Sequence, residues 1–197
     1  MNPCSSGKDL DPLKPKAEVL FSSKDILILE NLISNDVIRL FMKQTINAFL
    51  ESKRIAIVGV SEKSSNMGKS LMDELGKKGY DILPVNPNYD RIGDTHCYAG
   101  IRDLPDDIES VILLVPPSIS EAVVQEAIGT PVKRIWMHQG VGKGAYSDAA
   151  RDTCKSNGID VVYGFCPLMF FGGGMHKFHF WIRKNFGKVP TEFKLAT

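Results

Sequence analysis

The residues best placed to do chemistry lie between Gly59 and Ser70, where an apolar run passes through a polar loop into a helical pattern. The run is rich in β-branched residues, and it is followed by apolar residues at a spacing of four, namely Met67, Leu71 and Leu75. The first N–H groups of a helix lack intrahelical acceptors, and the helix dipole favours negative charge beside them. We therefore expect residues 59–70 to bind a phosphate-bearing ligand.

Two phosphate-binding motifs can be tested against this loop. The dinucleotide fingerprint G-x-G-x-x-G needs closer glycines than Gly59 and Gly68, and an acidic residue after the second strand, where this chain has Asn86. The Walker motif needs a glycine five residues before Gly68, where Lys63 stands. Neither motif is present, and the missing carboxylate weakens an NAD interpretation.

Other reactive side chains form weaker patterns. Cys166 has no neighbouring base in the sequence, which is typical of a small buried residue rather than of a nucleophile. His138, His176 and His179 are accompanied by no convergent carboxylate or cysteine pattern, so no metal site is predicted. The sequence therefore favours binding over catalysis, and it identifies no catalytic residue.

The composition is that of a globular protein. Of 197 residues, 43% are hydrophobic and 24% are charged, and the net charge of +1 indicates neither nucleic acid nor a membrane surface as a partner. No apolar run reaches the roughly 18 residues of a membrane span, and the polar first 16 residues contain no signal-peptide core. The four cysteines are scattered, so a reduced cytoplasmic protein is predicted.

Alternating strand and helix patterns predict the scaffold that positions the loop. Strands are expected at residues 54–60, 80–85, 110–115, 134–137 and 159–163, and helices at 66–78, 120–128 and 145–156. Residues 91–105 are expected to be an irregular connection. Repeated β-α units imply an α/β fold with a doubly wound, five-stranded parallel sheet and helices on both faces.

Helical extensions are predicted on both sides of the sheet. The expected division is a flexible leader at 1–17, an N-terminal helical extension at 18–52, the sheet domain at 53–168, and a C-terminal amphipathic helix and tail at 169–197. Residues 36–51 have an apolar stripe that must cover the sheet edge or a partner chain, so a homodimer is one interpretation. The stripe comprises Val37, Leu40, Phe41, Gln44, Thr45 and Ala48.

Five motifs then occur in an order that resembles the CoA-binding domain family of small Rossmann-type proteins. They are IAIVGVS, GYDILPVNP, VPPS, IWMHQGV and VVYGFCP, and they extend over about residues 53–168. The same region is similar to the N-terminal domain of the succinyl-CoA synthetase α-subunit and to that of ADP-forming acyl-CoA synthetases. The resemblance implies that the ligand is coenzyme A or an acyl-CoA.

The resemblance also implies which residues contact that ligand. The phosphate-binding loop and helix correspond to Gly59, Val60, Ser61, Lys63, Ser65, Asn66, Met67, Gly68 and Lys69. The loops after the later strands correspond to Asn86, Pro87, Val115, Pro116, Pro117, Gln139, Gly140 and Cys166. Adenine would lie against the prolines, and the pantetheine arm would run toward Gln139 and Cys166. The loop lacks the arginine of many relatives, so Lys63 or Lys69 would supply the positive charge.

Two other classes of function stay open at this point. One is an enzyme role, either as an NAD(P)-linked oxidoreductase or as a partner of an acyl-CoA ligase. The other is a metabolite-sensing or redox-sensing module that contacts another protein through its terminal helices.

Overall fold

The computed structural model describes residues 37, 40–63, 67–140 and 144–171, all of which lie in the part of the chain from residue 35 onward. The strands are β1 (Arg54–Val58), β2 (Asp81–Val85), β3 (Arg91–Ile92), β4 (Thr95–His96), β5 (Ser110–Leu113), β6 (Arg134–Met137) and β7 (Asp160–Val162). The helices are α1 (residues 40–51), α2 (Met67–Gly76), α3 (Pro117–Ala127), α4 (Asp148–Ser156) and α5 (Leu168–Phe171), with a 3₁₀ turn at Ile101–Asp103.

The main sheet confirms the predicted fold class. Its five strands are all parallel and lie in the order β2-β1-β5-β6-β7. All four residues of β5 are buried, as are four of the five residues of β1, because helices cover both faces of a doubly wound sheet. Right-handed crossovers place α2 on one face and α3 and α4 on the other, since the chain moves along the sheet in opposite directions from β1 and from β5.

The prediction of an irregular connection at residues 91–105 is wrong. Strands β3 and β4 form a two-stranded antiparallel hairpin, in which Arg91 pairs with His96 and Ile92 pairs with Thr95. Gly93 occupies the turn with a φ of 56°, a conformation that glycine adopts without strain. Strands of two residues are too short to show an alternating pattern, and this is why the sequence did not reveal them.

Several strands and helices begin or end a few residues away from their predicted bounds. Strand β1 stops at Val58, two residues early, and β5 stops at Leu113. Helix α3 starts three residues earlier than expected, at Pro117, because a proline in the first turn needs no N–H acceptor. Helix α4 starts three residues later, because the Ser147 hydroxyl accepts a hydrogen bond from the backbone N–H of Ala150 (3.3 Å) and caps the helix.

Helix α1 packs on the sheet with a face that overlaps the predicted stripe only in part. The buried side chains are Met42, Thr45, Ile46 and Phe49, of which Thr45 was predicted, whereas the predicted Val37, Leu40 and Phe41 are exposed. The Phe49 ring meets the Trp136 ring of β6 edge-on, with centroids 5.4 Å apart. Apolar residues on two adjoining faces made the sequence pattern ambiguous, and the contact with fully buried Trp136 selects one of them.

Some predicted segments lie outside the described residues. They include the leader at 1–17, residues 18–36 of the N-terminal extension, residues 172–197 of the C-terminal segment, and the histidines His176 and His179. Within the described part of the chain, no helix has both the length and the apolarity that crossing a bilayer requires.

Replacing Phe49 with alanine tests the packing of α1. Because Phe49 is fully buried against Trp136, we expect the free energy of unfolding to fall by about 3–5 kcal/mol in urea titrations. Phe41→Ala is the matched control on the same helix, since Phe41 is 61% exposed and its loss should change stability by no more than about 0.5 kcal/mol. Equal losses for the two variants would contradict this packing.

Candidate functional site

The carboxyl ends of β1 and β5 form the switch point of the sheet. These neighbouring strands are followed by connections that leave in opposite directions, and a crevice opens between such connections in open α/β sheets. A cavity of about 350 Å³ lies at this point. Four residues that the family resemblance implied are in its lining, namely Gly59, Asn86, Pro87 and Val115.

Gly59 is the residue on which this crevice depends. Its φ is +97°, and a Cβ atom there would lie 2.8 Å from Val115 Cγ1 and 2.9 Å from the Leu114 carbonyl oxygen. No other residue type fits both the backbone angle and the space. The Gly59 N–H donates to the Val85 carbonyl (3.0 Å), so this amide is engaged in the sheet. Gly59 therefore shapes the site rather than supplying a donor to a ligand.

Asn86 connects the loops that form one wall of the cavity. Its side-chain amide donates to the Val60 carbonyl (2.7 Å), and its side-chain oxygen accepts from the backbone N–H of Asn88 (3.0 Å). The loop after β1 and the turn after β2 are thereby held together. The sequence placed Asn86 beside the ligand, and the structure shows that its side chain makes these two hydrogen bonds within the protein.

Lys69 is one of the two lysines of the predicted phosphate site, and it lies in the first turn of α2. Its Nζ donates to the Glu62 carboxylate (2.8 Å), and this hydrogen bond raises the pKa of Lys69 and lowers the pKa of Glu62. Glu62 also accepts from the backbone N–H of Gly93, which links the loop to the β3–β4 hairpin. Both side chains are solvent-exposed, so the ion pair contributes little stability and can be exchanged for another anion at little cost.

The remaining implied residues of the phosphate loop differ in their exposure. Val60 is fully buried, Ser61 is half-buried, and Lys63 is exposed. Met67 is exposed at the start of α2, where Gly68 is buried. Ser65 and Asn66 lie outside the described residues.

A second group of implied residues lies at the carboxyl ends of β6 and β7. The backbone N–H of Gln139 donates to the Phe165 carbonyl (3.2 Å), and this bond joins the loop that contains Gly140 to the loop that leads to half-buried Cys166. Pro116 and Pro117, which the resemblance placed against adenine, are the cap and first residue of α3. The cavity lining contains neither of these two prolines.

Burial makes two of the described cysteines poor nucleophiles. Burial raises the pKa of Cys97, and it raises the pKa of Cys154 to about 12. Both thiols are therefore protonated near neutral pH and are poor nucleophiles. None of the described cysteines is in a disulfide, and the described residues contain no group of three His, Cys, Asp or Glu side chains arranged to hold a metal ion.

Sequence reasoning missed one wall of the cavity. Helix α3 contributes Ile119, Val123 and Glu126, and the chain before the 3₁₀ turn contributes Ala99 and Gly100. Positions i, i+4 and i+7 share one face of a helix, so the spacing in α3 was visible in the sequence. The predicted ligand contacts lay on the loops after the strands and at the start of α2, so this face of α3 was not among them.

Comparison with known proteins identifies the family. The family model for the CoA binding domain matches residues 53–171, which contain the whole sheet and the cavity. Acetate–CoA ligase [ADP-forming] II of Archaeoglobus fulgidus is 28% identical over 117 residues, which are 55% of this chain and 17% of the ligase. The chain thus spans about a sixth of the length of that relative.

Small proteins of known structure match over most of their own length. A conserved hypothetical protein from Pyrococcus furiosus is 35% identical with a TM-score of 0.54, covering 58% of this chain and 95% of that protein. A hypothetical protein from Pyrococcus horikoshii OT3 is 29% identical with a TM-score of 0.56, covering 69% and 88%. The family match covers more than half of the chain and coincides with the sheet, and the chain therefore belongs to the CoA-binding domain family.

Proposed function

We propose that this chain binds coenzyme A or an acyl-CoA, and that it acts by recognition rather than by catalysis. The observation that carries the proposal is the cavity at the switch point, which is lined by Gly59, Asn86, Pro87 and Val115 in a chain of the CoA-binding family. Glycine at position 59 lets the chain after β1 approach Leu114 and Val115, because a Cβ atom there would collide with both.

The cavity suits the adenosine part of the ligand. Its lining includes the apolar side chains of Val85, Ile101, Ile119 and Val123, and flat aromatic bases are bound by surfaces of this kind. The diphosphate would lie over the loop after β1, where Lys69 supplies a positive charge once it separates from Glu62. The pantetheine arm would follow the carboxyl ends of the strands toward Gln139 and Cys166.

The same observations disfavour the NAD(P) alternative. In dinucleotide-binding folds a carboxylate at the end of the second strand holds the ribose diol of NAD. Asn86 stands there in this chain, and its side chain bonds to Val60 and Asn88. A reduced, cytoplasmic setting fits the proposal, since none of the described cysteines is in a disulfide.

One alternative is favoured by the comparisons. The relatives include ADP-forming acetate–CoA ligases, and the chain matches only a small part of their length. The chain would then present CoA to a partner that supplies the remaining domains of such a ligase. Recognition of CoA is common to both proposals, and a ligase role would additionally require turnover when that partner is present.

Calorimetric titration of the full chain with CoA, acetyl-CoA, NAD and ADP tests the proposal. We expect CoA and acetyl-CoA to bind more tightly than NAD, because the site lacks the ribose-binding carboxylate. ADP should bind more weakly than CoA, since it lacks the pantetheine arm. If NAD binds more tightly than CoA, the proposed ligand is wrong.

Replacing Lys69 with glutamine tests the phosphate contact. We expect the affinity for CoA to fall about tenfold, as for loss of a hydrogen bond to a charged group, while stability stays unchanged because the pair with Glu62 is exposed. Lys77→Gln is the matched control, since Lys77 is an exposed lysine just after α2 that pairs with Glu74. Equal affinities for the wild type and Lys69→Gln would exclude this lysine from the site.

Alkylation of the cysteines tests the path of the pantetheine arm. With a pKa of about 12, only roughly one Cys154 thiol in 10,000 is ionised at pH 8, so iodoacetamide should leave it unlabelled in the folded chain. Half-buried Cys166 should react faster, and saturating CoA should slow its labelling. Peptide mass spectrometry measures both rates, with guanidinium-unfolded chain as the control. Labelling of Cys166 that CoA does not alter would place the arm elsewhere.

A further inference from the structure

The cavity at the switch point contains a carboxylate that the proposed function has not used. Among the described residues that line the cavity, Glu126 of α3 is the one charged side chain, and it is half-buried. Its neighbours on the same helix face are Ile119 and Val123, so the carboxylate lies at the end of an apolar surface.

Glu126 is held in place by the chain opposite α3. Its Oε1 atom accepts a hydrogen bond from the backbone N–H of Arg102 (3.1 Å) in the 3₁₀ turn. A Cβ atom at residue 100 would overlap with Glu126 Oε1, so a larger residue there would require this flexible carboxylate to shift. The backbone of Gly100 is extended (φ −151°), a conformation open to any residue. The hydrogen bond from Arg102 is therefore the contact that holds the carboxylate.

The position of Glu126 along α3 indicates which part of a nucleotide it meets. Helix α3 starts at the carboxyl end of β5, and Glu126 is nine residues beyond Pro117, or about 13 Å along the helix axis at 1.5 Å per residue. A diphosphate over the loop after β1 would lie near the carboxyl ends of the strands, and repulsion between two negative groups disfavours its approach to Glu126. Glu126 is thus at the end of the cavity that would hold the base.

An ionised carboxylate only accepts hydrogen bonds, and Arg102 uses one of its acceptor sites. The remaining lone pairs of the carboxylate can accept a hydrogen bond from a neutral donor on the ligand. The 6-amino group of adenine is such a donor, and a purine with hydrogen at C6 lacks it.

We propose that Glu126, held by the Arg102 N–H, is a specificity-determining residue that accepts a hydrogen bond from the 6-amino group of adenine. The cavity would then bind adenine nucleotides more tightly than nucleotides whose purine lacks the 6-amino group. This inference rests on the proposed binding of CoA, and it adds the group by which the site recognises the base.

The test compares CoA with its purine analogue, in which hydrogen replaces the 6-amino group, by calorimetry with the full chain. We expect the wild type to prefer CoA by about tenfold or more, as for loss of a charged hydrogen bond. In Glu126→Gln the side-chain oxygen can still accept from Arg102, but the amide nitrogen presents a donor to the base. CoA should then bind at least fivefold more weakly, and the preference should fall to twofold or less.

Glu121→Gln is the matched control, because Glu121 is an exposed carboxylate on the same helix that accepts from the Ser147 hydroxyl and does not line the cavity. This variant should keep the wild-type preference. Thermal unfolding checks that each variant is folded, and the wild-type comparison needs no variant at all. A role for Glu126 in fold stability alone would lower the melting temperature of Glu126→Gln and leave its base preference intact, which would overturn the inference.

The result also separates this inference from the proposed function. If the wild type binds CoA and its purine analogue equally well, the role of Glu126 is wrong and CoA binding stands. If neither ligand binds, the proposed function fails, and the inference about Glu126 fails with it.

Discussion

The close approach of Gly59 to residues 114 and 115 is the constraint on which the site depends. Strands β1 and β5 are paired up to Val58 and Leu113, and the Leu114 N–H still donates to the Val58 carbonyl (2.9 Å). One residue later the two chains must separate in opposite directions. Gly59 has a positive φ and no side chain, so the two chains can separate directly at the end of the sheet. The crevice opens between them at this point.

Polar contacts link the loops around this crevice to one another. Asn86 joins the turn after β2 to Val60, and Glu62 joins the loop after β1 to the hairpin and to Lys69. The first contact is half-buried and uses neutral groups, so it defines the wall. The second is exposed and ionic, so its partners can change when an anion arrives. The wall that Asn86 holds in place therefore lies beside a loop in which Lys69 can exchange Glu62 for another anion.

The sequence predicted the features that depend on residues close together in the chain. The run of apolar residues in β5 indicated a strand buried on both faces, and the loop after β1 was located by the change from strand to helix spacing. Features that depend on contacts between distant segments were missed. The buried face of α1 is chosen by Trp136, and Glu126 is held by the Arg102 N–H, 24 residues away. No short window of sequence contains both partners of such contacts. The β3–β4 hairpin is local, and it was missed because strands of two residues show no alternating pattern.

The position of α1 bears on where this domain can be cut. The family match begins at residue 53, after the helix has ended, yet the Phe49 ring of that helix contacts Trp136 of β6, and the Leu50 carbonyl accepts from the Tyr80 hydroxyl (2.7 Å). A fragment that begins at residue 53 would lack both contacts and would expose part of the Trp136 ring to water. The folding unit is therefore longer than the region of the family match, and the upstream helix covers part of the hydrophobic core.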